Sequence, residues 1–298
     1  MTAHASPIAA EPPRAAAHEL RADGLALGYD GRRIIQELDL VVPDGRVSVV
    51  VGPNACGKST LLKGLARLTS PDGGTVSLDG RDLGRIPPRE LARTLAVLPQ
   101  QPIAPDGIRV WDLVARGRHP HQGWFRSRSA GDDAIVAEAL SATSTLGIAD
   151  RLVEELSGGQ RQRVWIAMVL AQQADIVLLD EPTTFLDVTH QLEVLDLLTE
   201  LNRTRGTTVV MVLHDLNLAA RYADRLVVMN GGRIVAEGAP AEVLTADLVE
   251  RAFSLPSQVV PDPVSGSPMV VPIGRFHSQD PAPGEVPAPR DPGSRAAS

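Results

Sequence analysis

Apolar residues in this chain gather into short, dense runs separated by polar turns. Val47–Val51 and the runs 176–179 and 209–213 are continuous and largely β-branched or leucine-rich. Such runs mark strands buried on both faces, which parallel sheets produce. The runs 25–29 and 34–42 flank Asp30-Gly31 and predict an antiparallel pair. Shorter strands are predicted at 75–78 and 95–98, and a hairpin over 226–229 and 233–237 around Asn230-Gly231-Gly232. Helical spacing follows from 58 to about 68, through most of 106–173, and over 189–202. Buried strands alternating with helices predict an α/β fold. It has a mostly parallel sheet, an antiparallel β subdomain and an inserted helical subdomain at about 101–165.

Both ends break the pattern. Residues 1–18 are rich in Ala, Pro and His without a period and predict a disordered tail. Residues 256–298 hold ten prolines with scattered Gly and Ser. Such a stretch buries little apolar surface against its ordering entropy. It predicts a largely disordered tail, with 256–273 partly ordered at best. The folded domain is therefore expected over 19–255.

Composition narrows the classes. The 298 residues are 43% apolar and 22% charged, with a net charge of −7, values of a globular protein. The single cysteine, Cys56, excludes an internal disulfide and a thiolate zinc cluster. The acidic balance argues against a nucleic-acid partner. No apolar run approaches the roughly 20 residues that span a bilayer. Residues 1–18 carry neither the basic nor the apolar region of a secretory signal. A cytoplasmic chain is expected, and any membrane role would come through a partner.

One short segment concentrates chemistry. Gly52-Pro53-Asn54-Ala55-Cys56-Gly57-Lys58-Ser59-Thr60 fits the phosphate-loop pattern, directly after a buried strand and at the start of a helix. Its glycines let backbone N–H groups converge on an anion, and the helix N-terminus adds positive potential. Lys58 would supply a point charge to β- and γ-phosphates, and Ser59 a hydroxyl to Mg²⁺. Ala55 costs about 1 kcal/mol if its φ is positive and nothing if it is negative. The strand 176–179 ends in Asp180-Glu181. Asp180 is placed to hold Mg²⁺ and Glu181 to deprotonate an attacking water. Leu156-Ser157-Gly158-Gly159-Gln160-Arg161-Gln162-Arg163 opens a helix with capping-box spacing between Ser157 and Gln160, a second exposed helix N-terminus.

Together these motifs, over about residues 20–240, resemble the ABC-type ATPases. The resemblance implies that Ser157, Gly158, Gly159 and Gln160 of one subunit close on the ATP held by a second copy, so that a homodimer sandwiches two nucleotides. It also implies that Tyr29 stacks on adenine. Gln100, with Gln101 beside it, is similar to the glutamine that senses Mg²⁺ and water and couples to the membrane partner. Asp187, after Leu186, resembles the residue that communicates across the dimer. His214, followed by Asp215, is similar to the switch histidine that contacts the γ-phosphate.

The subtype rests on a weaker match. Ala115-Arg116-Gly117-Arg118-His119-Pro120-His121-Gln122-Gly123-Trp124-Phe125 resembles the ATPases of ferric-siderophore, haem and cobalamin importers, the siderophore members most closely. The resemblance implies integral-membrane permease subunits as partners, a substrate-binding protein acting indirectly, and a place on the cytoplasmic face of the cell membrane. Import of cobalamin, haem or a metal ion, or a soluble ATPase acting on ribosomes or nucleic acid, are the competing readings. Five arginines lie in 109–128 against one acid, read equally as a solvated basic face or a permease contact.

Lysine usage sharpens the view of the loop. Only two of the 29 basic residues are lysine, Lys58 and Lys63. A compact ammonium fits a phosphate cradle where a planar guanidinium does not. Cys56, near a helix N-terminus, is expected to have a lowered pKa and to line the nucleotide loop.

Overall fold

The structure is a computed structural model that describes residues 16–29, 31–122 and 129–274. Asp30 and the stretch 123–128, which closes the segment used for the subtype, lie outside the described residues, as do 1–15 and 275–298.

A six-stranded sheet forms the centre. Its order is β10 (Arg233–Gly238), β9 (Arg225–Asn230), β3 (Val47–Val51), β8 (Thr208–Val212), β7 (Ile176–Asp180) and β6 (Leu95–Leu98). All neighbours pair in parallel except β10, which returns antiparallel to β9. The strands alternate their side chains between two cores, as period-2 geometry requires. Val49, Val51, Val177, Leu179, Val209 and Met211 face one hydrophobic cluster. Val50, Leu178, Val210 and Val212 face the other.

The second cluster is completed by α1 (Lys58–Leu65) and by an antiparallel sheet of order β2 (Arg32–Val42), β1 (Leu20–Tyr29), β4 (Gly73–Leu78) and β5 (Arg81–Asp82). The first cluster is completed by helices, chiefly α3 (Val110–Ala115), α4 (Ala130–Ala142), α5 (Gly158–Gln172), α6 (Val188–Arg205) and α7 (Leu216–Tyr222). The short α2 (Pro88–Thr94) precedes β6, and α8 (Pro240–Val243) and α9 (Ala246–Phe253) follow β10. None of the described helices is long and apolar enough to cross a membrane.

Two segments differ from the sequence expectation. The first is the C-terminal stretch, where β11 (Ser257–Pro261) pairs antiparallel with β12 (Pro268–Pro272). Prolines that argued for disorder sit where a hairpin tolerates them. Pro256 precedes β11, Pro261, Pro268 and Pro272 occupy strand ends, and Pro263 lies in the turn. Val270 is 4% exposed and belongs to the main core.

The second is His18, placed by the sequence in a loose tail. Its backbone N–H donates to Asp44, and its ring spans Asp79 at 2.7 Å and Asp175 at 3.2 Å. Asp79 follows β4 and Asp175 precedes β7, so one imidazole ties the antiparallel sheet to the central one. Burial lowers the pKa of His18, but the hydrogen bonds and charges of Asp79 and Asp175 outweigh it and the net shift is upward. A raised folded value gives stability that is complete below the unfolded pKa near 6.5 and lost as pH rises through the folded value. The melting temperature of the native chain should therefore fall, relative to His18→Gln, as pH rises from about 6 to 9. Parallel melting curves for the two proteins would remove His18 from the account.

Candidate functional site

Four adjacent parallel strands, β3, β8, β7 and β6, deliver the site residues to one edge of the central sheet. The phosphate loop leaves the carboxyl end of β3, His214 lies just past β8, Asp180-Glu181 ends β7, and Gln100 follows β6. Ligands of open parallel sheets bind at this edge. Asn54, Ala55, Gly57, Lys58, Ser59, Thr60, Gln100, Glu181 and His214 line one cleft of about 520 Å³, with Ile34 on its wall.

The loop is tight. At Gly52, φ is 157°, and a Cβ would lie 2.2 Å from the Met229 carbonyl oxygen. Lys58 is 5% exposed and donates from Nζ to the Gly52 and Pro53 carbonyls, both at 2.9 Å. Ala55 has φ 61°, so the open alternative resolves to the strained one. Ala55→Gly should raise stability by about 0.5–1 kcal/mol, the left-handed strain less the entropy that glycine adds to the unfolded chain. Thermal unfolding measures this, and a lower melting temperature would show that neighbouring contacts outweigh the strain.

Cys56 departs from expectation. The loop includes its backbone, but its thiol is buried in the cluster beneath α1 and is not among the groups lining the cleft. Burial pushes the thiol pKa up, against the pull of Lys58. The helix N-terminus does not make this thiol reactive, because the sulfur turns into the core.

The acids are held differently. Ser59 Oγ donates to Asp180 Oδ1 at 2.9 Å, while Asp180 Oδ2 is buried and has no hydrogen-bond partner among the described residues. Burial raises the Asp180 pKa, and the Ser59 hydrogen bond and the charges of Lys63 and Lys58 lower it, with a net rise. Next to it, Glu181 takes φ 54°. Its Oε1 lies 2.6 Å from His214 Nε2, and Oε2 accepts from Thr184 Oγ1 at 3.1 Å. Burial would raise its pKa, but hydrogen bonds from His214, Gln100 and Thr184 hold the carboxyl below its ordinary value. Glu181 is thus ionised at neutral pH and aimed into the cleft.

The other predicted residues lie outside this cleft. Ser157 caps α5 in a reciprocal box with Gln160, each bond at 3.2 Å. Gly158 and Gly159 pack against Phe185 and Leu186. Asp187 caps α6, accepting from the backbone N–H and the Nδ1 of His190. Tyr29 is 42% exposed at the end of β1, with its hydroxyl 3.4 Å from Thr69. Of the two adjacent glutamines, Gln100 lines the cleft and Gln101 does not. The arginine-rich face is smaller than its count, because Arg118 is buried against Asp132 at 3.0 Å and bonds Ala171 and Gln173. Sequence reasoning missed Ile34 as a cleft residue and Thr184 as a hydrogen-bond donor to Glu181. Thr184 follows the two acids closely enough to have been a candidate; Ile34 carries no sequence signal.

A phosphate loop, a strand-end acid pair and a parallel sheet define a nucleoside-triphosphate-binding protein of the P-loop type. A family model described as ABC transporter matches residues 35–184. The chain is 54% identical over 256 residues to the achromobactin transport ATP-binding protein CbrD of Dickeya dadantii (strain 3937), covering 86% of this chain and 95% of that one. It is 50% identical over 256 residues to the ferric enterobactin transport ATP-binding protein FepC of Escherichia coli (strain K12), covering 86% and 94%. Among solved structures, a chain of a proposed metal-chelate type ABC transporter in an inward-facing conformation superposes with a TM-score of 0.73 at 29% identity, covering 87% of this chain and 98% of that one. The dimeric bacterial ABC transporter cassette MJ0796 superposes with a TM-score of 0.67 at 26% identity, covering 74% and 98%. The chain belongs to the ABC transporter family, as an ATP-binding and ATP-hydrolysing subunit.

Proposed function

We propose that this chain energises import of a ferric siderophore through a separate integral-membrane permease, as a homodimer on the cytoplasmic face of the cell membrane. The convergence of Lys58, Ser59, Gln100, Glu181 and His214 on one cleft carries the ATPase part. The cargo follows from the relatives named for achromobactin and ferric enterobactin transport. A substrate-binding protein would present the cargo to the permease and act on this subunit only indirectly.

In this reading ATP lies along the phosphate loop, with Tyr29 against adenine, backbone N–H groups of 52–60 on the phosphates and Lys58 on the β- and γ-phosphates. Glu181 takes a proton from water as its oxygen attacks the γ-phosphorus in line, and the bond to the ADP oxygen breaks. His214 orients Glu181 and reaches the γ-phosphate. Ser157, Gly158, Gly159 and Gln160 from the second copy complete the charge stabilisation, and Asp187 links the two copies. Mg²⁺ fits the residues present. Asp180 Oδ2 is a buried carboxylate oxygen with no partner among the described residues, beside the Ser59 hydroxyl, and Gln100 adds an amide oxygen to the cleft. Among the described residues no group of three His, Cys, Asp or Glu could hold a metal, so phosphate oxygens would complete its shell. The ion would neutralise charge developing on the phosphates.

Purification from membranes should bring down a permease, and disrupting the gene should abolish uptake of radiolabelled ferric siderophore while leaving cobalamin uptake intact. Normal siderophore uptake in that strain would sink the cargo assignment. Co-purification with ribosomes and no membrane protein would sink the transport assignment.

A further inference from the structure

The hairpin Ser257–Pro272 has no part in the reading above, yet it grips the helix that leaves the switch histidine. Asn217, in the first turn of α7, meets the backbone of Val270 on β12 at both ends of its amide. Its Nδ2 donates to the Val270 carbonyl at 3.2 Å, and its Oδ1 accepts the Val270 N–H at 2.7 Å. The side chain thus serves β12 as a neighbouring strand would. One turn further along, Arg221 reaches Asp262 at 2.6 Å. Asp262 is 6% exposed, and its other oxygen accepts the backbone N–H groups of Val264 and Ser265, which shape the hairpin turn. Asp215, adjacent to His214, caps α7 by accepting the N–H groups of Asn217 and Leu218. A side chain clamped from outside and a cap bonded from inside therefore meet at Asn217, three residues from His214.

We propose that the C-terminal hairpin positions His214. Asn217 and Arg221 act as positioning residues that fix the N-terminal turn of α7, and with it the 2.6 Å contact between His214 and Glu181. Neither residue lines the nucleotide cleft, so the effect reaches hydrolysis only through His214. A hairpin that only stabilised the fold would need contacts with the core, which Val270 supplies. It would not need both polar anchors on the one helix that starts beside the switch. The inference rests on the role of His214 proposed above.

The test uses the full chain and a double-mutant cycle. Asn217→Ala and, separately, Arg221→Met should each lower kcat about tenfold, because small misplacements of a reacting constellation are costly. KM for ATP and the affinity for a fluorescent ATP analogue should stay within twofold. In a His214→Ala background, neither substitution should lower the residual rate further. Native kcat in both variants overturns the proposal, as does an equal loss with and without His214. His214→Ala hydrolysing at the native rate would instead overturn the role of the histidine and the hairpin's role with it, so the two failures are told apart by that single variant. Two anchors are used because either variant alone could loosen the hairpin; melting temperatures identify such a loss.

Discussion

Glu181→Gln should cut ATP turnover by about 10²–10⁴-fold, the range that a positioned general base contributes, while ATP still binds. The carboxylate is ionised because His214, Gln100 and Thr184 favour its charged form over burial. The amide keeps an oxygen to accept from Thr184, and the chain at 181 keeps its φ of 54°. It loses the ability to take a proton. It also removes a negative charge from the edge where the γ-phosphate must sit, so ATP affinity should hold or rise. Under the proposed dimer model, the closed ATP-bound pair then accumulates, because the step that reopens it is blocked. Phosphate release measures the first effect, and size-exclusion chromatography with and without ATP the second. Hydrolysis at the native rate would end the assignment of Glu181 as base. A slow variant that stays monomeric with ATP would keep the base and end the homodimer.

The legibility of that site in the sequence has a physical reason. A parallel strand buried on both faces is nearly all apolar, so Val47–Val51 and the run before Asp180 stand out, and the polar residue ending such a strand must lie at the sheet edge. Gly52, Asp180, Glu181 and His214 stood out because they follow directly on apolar runs, and Lys58 because it completes the phosphate-loop pattern that begins at Gly52. What stayed hidden depends on direction rather than residue type. Cys56 sits among cleft residues in sequence, but its sulfur turns into the core. Ala55 takes the left-handed conformation that its side chain opposes. Arg118 counts as a surface charge until Asp132 covers it. His18 looks like a tail residue because its partners lie at positions 79 and 175. The C-terminal hairpin was hidden by its prolines, since the disorder argument counts them without asking whether each falls at a strand end. Long-range partners of this kind leave no local periodicity to detect.

Lys58→Arg should lower hydrolysis by about 10²–10³-fold although the charge is unchanged, comparable to removing one donor from a charge-stabilising site. The Lys58 ammonium is 5% exposed and donates to the Gly52 and Pro53 carbonyls at 2.9 Å each. A guanidinium is planar and wider, and its five donors form a rigid fork. It cannot turn three compact donors between those two carbonyls and a phosphate. The loop has little room to widen, since at Gly52 even a methyl group would meet the Met229 carbonyl. Overpacking a site this tight costs about 1–3 kcal/mol, so the melting temperature should fall modestly alongside activity. Lys63 supplies the control. It is the only other lysine, lies on the same helix α1, and its charge acts on Asp180. Lys63→Arg keeps that charge without entering the cradle, and its hydrolysis rate should stay within about twofold of native. Equal activity of the two variants would show that the cradle accepts any cation and that its fit to an ammonium has no part in catalysis.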